Sequence, residues 1–411
     1  MKKRLFQTEG HLIDSGVFSK ILNTILQENG DYRITRFQVG KHPDETSSLE
    51  FSVSHEGASQ LQHIADKLTP LGVFEQKVPS ALLSPADKNR HVPEDFYSTT
   101  NHRTEIFYQN RWHEVGNQRM DAAIVLTEES TFVCSKLRDI RKGDMVVCGS
   151  DSVRVYPPAI EHKSEFAFMS NEVSSERSGT VAVELIAKEL FEVRKKGGKI
   201  IVVCGPVVVH TGGADALADL IKAGYVQGFL GGNAVAVHDL EYRIYGTSLG
   251  VDLHTGKVTE HGHNHHMRAI NTIYGCGSMA QAVEKGILKE GLMYDLIKSG
   301  IPYCLAGSIR DDGPLPETVN DMIEAQKRYA EIIKDADMII MLSTMLHSIG
   351  TGNMTPSHVM TVCVDINPAV VTKLADRGSG QTVGIVSDVG LFLRELARKL
   401  EVSACILLKW N

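Results

Sequence analysis

The sequence contains no CxxC pair, no long hydrophobic run and no basic stretch beyond three residues, the longest being Lys2 to Arg4 and Arg194 to Lys196. Each absence removes a class of protein. No window approaches the roughly 18 uninterrupted apolar residues of a membrane span, and the N-terminus lacks the apolar segment of a secretion signal, so the chain is expected to stay in the cytoplasm. A net charge of −7 without a basic block leaves no footprint for a polyanion, and nucleic acid is not an expected partner. The seven cysteines, at 134, 148, 204, 276, 304, 363 and 405, stand apart from one another. Cys148, Cys204, Cys304 and Cys363 fall inside or at the end of apolar runs, and the cysteines read as small buried hydrophobes in a reducing compartment.

What is present is ordinary for a globular protein: 42% hydrophobic and 23% charged residues, with 36 glycines. At 411 residues the chain has room for two or three domains and a sizeable core. The first 80 residues read as βαββαβ, the ferredoxin-like order. An extended stretch near Leu5 to Ile13 precedes a helix whose apolar face is Phe18, Ile21, Leu22 and Ile25. A strand from Tyr32 to Val39, an alternating strand on Leu49, Phe51 and Val53, a helix on Leu61, Ile64 and Leu68, and an extended segment after Leu71 follow. Residues 78 to 104, with three prolines, read as a linker or surface loop. A small β unit of short strands is expected over 105–160.

The remaining stretch, 170–411, alternates short apolar runs with amphipathic helical segments, the signature of an α/β domain. A helix over Gly179 to Lys196 ends on Gly197-Gly198. Candidate parallel strands are Ile200 to Cys204, Val226 to Leu230, Tyr303 to Ala306, Met338 to Leu342, Val359 to Val364 and Thr382 to Val386. Runs such as Ile200-Ile201-Val202-Val203 suit a sheet covered on both faces. The fold class is therefore α/β with a doubly wound, mostly parallel sheet, and its ligand should lie past the strand C-terminal ends.

Those ends carry residues that bring backbone N–H groups to phosphates or accept ribose hydroxyls. Gly205-Pro206 follows the first strand, and Thr211-Gly212-Gly213 opens a helix, either as an anion site or as a tight turn. Gly232-Asn233 follows the second, with His238 and Asp239 soon after. Ser343-Thr344 follows Leu342, with Gly350-Thr351-Gly352-Asn353 beyond it, and Asp388 lies past Val386. Asp365-Ile366-Asn367-Pro368 places a carboxylate where it can hold ribose hydroxyls and repel a 2′-phosphate, favouring NAD over NADP. The other reading of Asp365 is a helix N-cap. Gly275-Cys276-Gly277-Ser278-Met279-Ala280 matches a dinucleotide fingerprint on paper but lies between helical segments, so it carries little. His261, His263, His265 and His266 leave a metal, a pocket or a solvated role open, with no metal assigned.

Several strings resemble the family that carries the lysine-ketoglutarate reductase/saccharopine dehydrogenase conserved region, which includes archaeal-type ornithine cyclodeaminases and the C-terminal part of cyanobacterial arginine dihydrolase/ornithine cyclodeaminases. They are Gly232 through Glu241, Gly246-Thr247-Ser248-Leu249-Gly250, Gly307 through Pro316, and Asp365 through Gly378. The resemblance implies a bound NAD in a sheet of the deoxyhypusine synthase type, and a small amino-acid substrate. It implies a reaction in which hydride leaves Cα of ornithine, the δ-amine closes on the imine with loss of ammonia, and hydride returns to give proline. Arg310 is then the expected clamp for the substrate carboxylate. Asp311 or Asp312 is the expected base or partner of the δ-ammonium, with Asp239 next. The alternative for Arg310 and Asp311 is a mutual ion pair in a turn. A saccharopine-type or other amino-acid dehydrogenase, and a non-enzymatic NAD or amino-acid sensor, are the competing functions. The open sheet edges of a ferredoxin-like part make a homo-oligomer the expected assembly.

Overall fold

The computed structural model describes residues 2–13, 15–40, 45–157, 177–248, 251–252, 265–311, 313–377 and 382–402. They fall into two compact units: one holds residues 2–157 with Asn353–His358, and the other holds most of the remainder.

The first unit opens with β1 (Lys2–Gly10), α1 (Val17–Gln27), β2 (Asp31–Gln38), β3 (Ser47–His55), α2 (Ala58–Leu68) and β4 (Phe74–Glu75). The sheet order is β2-β3-β1-β4, all antiparallel, which is the ferredoxin-like arrangement. Alternation explains its sidedness: Leu49, Phe51 and Val53 of β3 are fully buried against Ile21 and Ile25 of α1 and Ile64 and Leu68 of α2. A second sheet follows, built from β5 (Leu82–Pro85), β6 (Arg103–Tyr108), β7 (Arg111–Gly116), β8 (Ala123–Leu126), β9 (Phe132–Ser135), β10 (Met145–Cys148) and β11 (Val153–Tyr156), in the order β11-β6-β7-β9-β8-β10-β5. Here the structure differs from the linker expected over 78 to 104. β5 pairs with β10 from Leu82↔Cys148 to Pro85↔Met145, and Phe96 bridges Cys148. A four-residue edge strand that ends on proline has too little alternation to announce itself.

The second unit begins with α3 (Arg177–Lys195) and β12 (Ile200–Cys204), then α4 (Val207–His210), α5 (Ala214–Lys222), β13 (Gly228–Gly232), α6 (Asn233–Tyr245) and a hairpin pair, β14 (Thr247–Ser248) and β15 (Val251–Asp252). It continues through α7 (His265–Cys276), α8 (Met279–Glu284), α9 (Leu292–Ser299), β16 (Tyr303–Ala306), β17 (Thr318–Val319), α10 (Met322–Ile333), β18 (Met338–Leu342), α11 (Met345–Met354), β19 (Met360–Asp365), α12 (Pro368–Arg377), β20 (Thr382–Val386) and α13 (Val389–Lys399). The sheet is parallel, in the order β17-β16-β13-β12-β18-β19-β20. Omitting the two-residue β17, this is the 3-2-1-4-5-6 order of a doubly wound dinucleotide fold. β12 and β18, at its centre, are buried at every position, which is why their sequences are continuous apolar runs rather than alternating ones. The fingerprint-like stretch at 275–280 spans the end of α7 and the start of α8, with Gly277 at φ 101 between them. It follows no strand, as expected. Cys134, Cys148, Cys204, Cys276, Cys304 and Cys363 are buried free thiols, and Cys405 lies outside the described residues.

Candidate functional site

In a doubly wound sheet the ligand crevice opens where successive strands diverge to opposite sides. That point is the β12/β18 pair: the chain moves from β12 outward to β13 and β16, then returns to the other side of β12 as β18. The loops there are tight. Gly205 N–H donates to Leu342 O at 2.9 Å, and a Cβ on Gly205 would collide with the Ser343 carbonyl. Ser343 itself takes a left-handed φ of 46°, uncommon for a residue other than glycine, while its N–H reaches Val364 O at 2.9 Å. Pro206 caps the one-turn helix α4.

Beside this crevice β13 ends on Gly231-Gly232, and α6 starts at Asn233. A side chain at Gly232 would press on the His347 ring, with Cε1 3.0 Å from the Cβ position. His347 was not singled out by the sequence reading. It lies on α11 three residues after Thr344, and Thr344 Oγ1 and His347 Nδ1 are 2.8 Å apart. Burial lowers the His347 pKa, against a smaller opposing pull from Asp311, so the ring is neutral near pH 7. The only sequence signal was a histidine one helical turn from a strand-end threonine. Asn233 is buried, and its Oδ1 accepts from Leu315 N–H and Thr318 Oγ1, both at 2.9 Å. It anchors the loop that carries Ser308, Arg310 and Asp311. In that loop Asp311 Oδ2 takes Ser308 N–H at 2.7 Å, and Ser308 Oγ takes Arg310 N–H at 3.1 Å. Arg310 is exposed, and among the described residues it forms no ion pair with Asp311. Asp312 lies outside the described residues.

On the other half of the sheet, Asp365 ends β19 half-buried, with Oδ1 accepting Asn367 N–H at 2.8 Å. The N-cap of α12 falls to Asn367, whose Oδ1 accepts Ala369 N–H at 3.0 Å. Asp388 caps α13 through Leu391 N–H at 2.8 Å. Asn367 and Asp388 thus spend side-chain acceptors on helix ends.

Three expectations need correction. Asp239 lies within α6, fully buried, with its carboxylate taking Leu292 N–H at 3.2 Å and Met293 N–H at 2.8 Å. Arg243 Nε stands 3.7 Å away. It anchors the start of α9 and cannot meet a substrate. The N–H groups of Thr211, Gly212 and Gly213 are already bonded to Val207, Val209 and Val208 carbonyls, because α4 runs directly into the turn before α5. Those three N–H groups are therefore not available to a phosphate. Gly352 and Asn353 sit near the end of α11 rather than in a strand-end loop.

A buried polar chain also occupies this unit. His210 Nδ1 meets Ser248 Oγ at 2.5 Å, and the His210 and His238 rings are 4.7 Å apart, edge to face. The fully buried Glu241 stands 3.1 Å from His238 Nδ1 and 3.0 Å from Thr247 Oγ1, which reaches His265 Nδ1 at 2.8 Å. Desolvation first, and His238 second, push His210 down to about 4. His265 therefore belongs to a hydrogen-bonded core, whereas His261 and His263 lie outside the described residues. Among the described residues no three His, Cys, Asp or Glu side chains gather as metal ligands would.

A parallel sheet in this order, with a glycine-walled crevice at its switch point and a carboxylate at a neighbouring strand end, defines a Rossmann-type dinucleotide-binding protein. Residues 184–396 match the family described as arginine dihydrolase ArgZ-like, C-terminal, Rossmann fold. Residues 103–183 match the ArgZ-like C-terminal first region, and 3–102 the LOR/SDH bifunctional enzyme conserved region. An ornithine cyclodeaminase from Methanocaldococcus jannaschii is 49% identical over 98% of this chain and 97% of its own length. The chain belongs to this ornithine cyclodeaminase family, as its strings from Gly232 to Glu241 and from Gly307 to Pro316 imply. The crystal structure of cyanobacterial ArgZ, an arginine dihydrolase, matches with a TM-score of 0.85 at 44% identity, over 98% of this chain and 59% of ArgZ. The ternary complex of AgrE with ornithine and NAD+ matches with a TM-score of 0.54 at 45% identity, over 98% of this chain and 58% of AgrE. The chain thus spans under three-fifths of these fused proteins. Among the described residues, no helix is long and apolar enough to cross a membrane.

Proposed function

We propose that the protein converts L-ornithine to L-proline and ammonia with NAD as cofactor. The observation that carries this reading is the match to an ornithine cyclodeaminase over nearly the full length of both chains. The crevice suits the cofactor: Gly205 and Gly232 leave no side chain in the way, and Asp365 offers a carboxylate to ribose hydroxyls. Its placement sets a direction. The dinucleotide fold ordinarily carries its ribose carboxylate after the second strand, but here that strand, β13, ends on Gly231-Gly232 while β19 ends on Asp365. The adenosine half is therefore assigned to the β19 side, with Ser343 and Thr344 at the pyrophosphate. The reactive half falls on the side of β13 and β16, toward His347, Arg310 and Asp311.

NAD, when bound, supplies a hydride acceptor that becomes a donor within the same turnover, so oxidation and reduction cancel. The chain must do the rest. Arg310 holds the substrate carboxylate, its exposed guanidinium being suited to a bidentate grip. His347, neutral and fixed through Nδ1 by Thr344, accepts a proton at Nε2 from a substrate ammonium. Asp311, or Asp312, meets the δ-ammonium, which in Asp311 would use the oxygen not taken by Ser308. Asp239 has no part in this scheme.

The LOR/SDH match over residues 3–102 supports a second reading, a saccharopine-type dehydrogenase. Purified protein given ornithine and a trace of NAD+ separates the two. Cyclodeamination gives ammonia and proline in equal amounts with no rise in reduced nicotinamide, whereas a dehydrogenase stops once the NAD+ is reduced. The proposal extends to the setting: buried free thiols suit a reducing cytoplasm, a role in proline biosynthesis follows from the product, and the exposed edge strand β2 offers a second copy a pairing surface.

A further inference from the structure

Thr344 and His347 join the crevice to the end of β13. Thr344 follows the left-handed Ser343 directly after β18 and stands on the crevice wall, where a Cβ on Gly205 would lie 3.0 Å from the Thr344 Cβ. His347, three residues on in the first turn of α11, rests against the end of β13 instead: a Cβ on Gly232 would lie 3.0 Å from its Cε1 and 3.3 Å from its Nε2. Between the two, Thr344 Oγ1 and His347 Nδ1 are 2.8 Å apart. Among the described residues the imidazole makes no other hydrogen bond. The Tyr329 ring lies 6.3 Å from it, centroid to centroid, but the Tyr329 hydroxyl is spent on Gly231 O at 2.7 Å, which holds the strand end that His347 rests on.

The direction of the Thr344–His347 bond depends on what else the hydroxyl meets. A threonine hydroxyl has one hydrogen to give and lone pairs with which to accept, and a neutral imidazole has one N–H and one acceptor nitrogen. If Thr344 donates to Nδ1, the ring proton stands on Nε2, and Nε2 cannot take another. If the hydroxyl is drawn to a different acceptor, Nδ1 must carry the proton and donate it to Oγ1, which leaves the lone pair on Nε2. An ionised pyrophosphate is such an acceptor, since it has no hydrogen to offer and takes the one the hydroxyl has.

We propose that Thr344 makes His347 a base only when the cofactor is in place. With the pyrophosphate at Ser343 and Thr344, the proposed cofactor direction on which this assignment rests, the Thr344 hydroxyl donates to a phosphate oxygen and accepts Nδ1–H, and Nε2 is free to take a proton from the substrate. Without it the hydroxyl donates to Nδ1 and the proton stands on Nε2. The ring stays neutral throughout: one proton leaves Nε2 to water and one returns from water to Nδ1. A substrate ammonium is then deprotonated by His347 only beside a hydride acceptor.

The test uses the full chain with ¹⁵N-labelled histidine at about pH 8, where an ordinary histidine is already neutral. Long-range ¹H–¹⁵N correlation spectra distinguish a ring nitrogen that bears hydrogen from one that bears a lone pair, and the His347 signals are assigned by their loss in His347→Gln. The hydrogen should be on Nε2 in the free protein and on Nδ1 at saturation with NAD+. Thr344→Val should bind NAD+ within about tenfold of the unaltered chain, yet its ring should no longer respond, and ornithine turnover should fall about a hundredfold. Thr344→Ser should restore both. An unchanged tautomer at NAD+ saturation overturns the proposal whether or not ammonia is released, as does an exchange that persists in Thr344→Val or a chain that does not bind NAD+. An exchange in a protein that releases no ammonia from ornithine keeps the switch and removes the proposed reaction instead.

Discussion

Asp239 and Asp365 look alike in the sequence, each an acid shortly after a glycine-rich or apolar strand, and the structure separates them by what their oxygens already hold. Asp239 is sealed inside the unit with two backbone donors and an arginine around it. Removing it as Asp239→Ala leaves two buried N–H groups unsatisfied and takes one of the carboxylates away from Arg243, which keeps Asp215, and should cost about 3 kcal/mol. A lowered melting temperature with NAD affinity per folded molecule unchanged is expected; a stable but inactive variant would return Asp239 to the site. Asp365 spends one oxygen on the Asn367 turn, and the proposed ribose contact falls to the other. Asp365→Ala should weaken NAD binding by about 2 to 4 kcal/mol, the loss of charge-assisted hydrogen bonds, and calorimetry showing equal affinity would remove the ribose assignment. Sequence could not divide these two, because a carboxylate's burial depends on which distant helix start, here that of α9, arrives beside it. His347 was hidden for the same reason: its partner Gly232 is more than a hundred positions away.

His210 carries a pH consequence. The unfolded chain protonates it near 6.5, whereas the folded chain resists until about 4 because the ring is desolvated and faces His238. Between those values the unfolded state binds more protons, so stability falls as pH drops from 6.5 toward 4 and is fully present above 6.5. His210→Asn should flatten this part of the stability curve in urea melts at stepped pH. An equally steep decline in the variant would mean that His210 contributes nothing to it.

At the scale of elements, the strands of the second unit were the most legible part of the chain. A strand buried on both faces between helices must be a continuous apolar run, so β12, β16 and β18 were placed within the sequence alone. α11 was not, because Gly350-Thr351-Gly352-Asn353 opposes helix formation locally. Burial of Ser348 and Thr351 shows tertiary packing overriding that propensity. The close approach of Gly205 to Ser343 gives an element-level prediction. In Gly205→Ala the new methyl meets a carbonyl held in the β18 loop, so neither side can yield cheaply. A loss of about 3 kcal/mol in stability is expected, together with weaker NAD binding because the crevice must open. A variant with an unchanged melting curve would show that the two strand ends are further apart than described.

At the scale of the molecule, fold and family were both readable, but through different evidence. Periodicity gave the layers of each unit, and long strings such as Gly307 through Pro316 gave the relatives. Neither gave the direction proposed for the cofactor, which rests on Asp365 standing after the fifth strand of a 3-2-1-4-5-6 sheet, a matter of strand order rather than of sequence.

The central claim, that oxidation, ring closure and reduction occur on one substrate molecule in one site, is tested most directly by the fate of its labelled atoms. With L-ornithine carrying ¹⁵N on the α-amino group and deuterium at Cα, mass spectrometry of the products reads both at once. The account predicts labelled ammonia, proline free of ¹⁵N and still deuterated at Cα, and no accumulation of reduced nicotinamide, since the δ-amine is held at high effective concentration beside the imine. Proline that retains the α-nitrogen, or that has exchanged its deuterium for solvent hydrogen while reduced nicotinamide builds up, would contradict it.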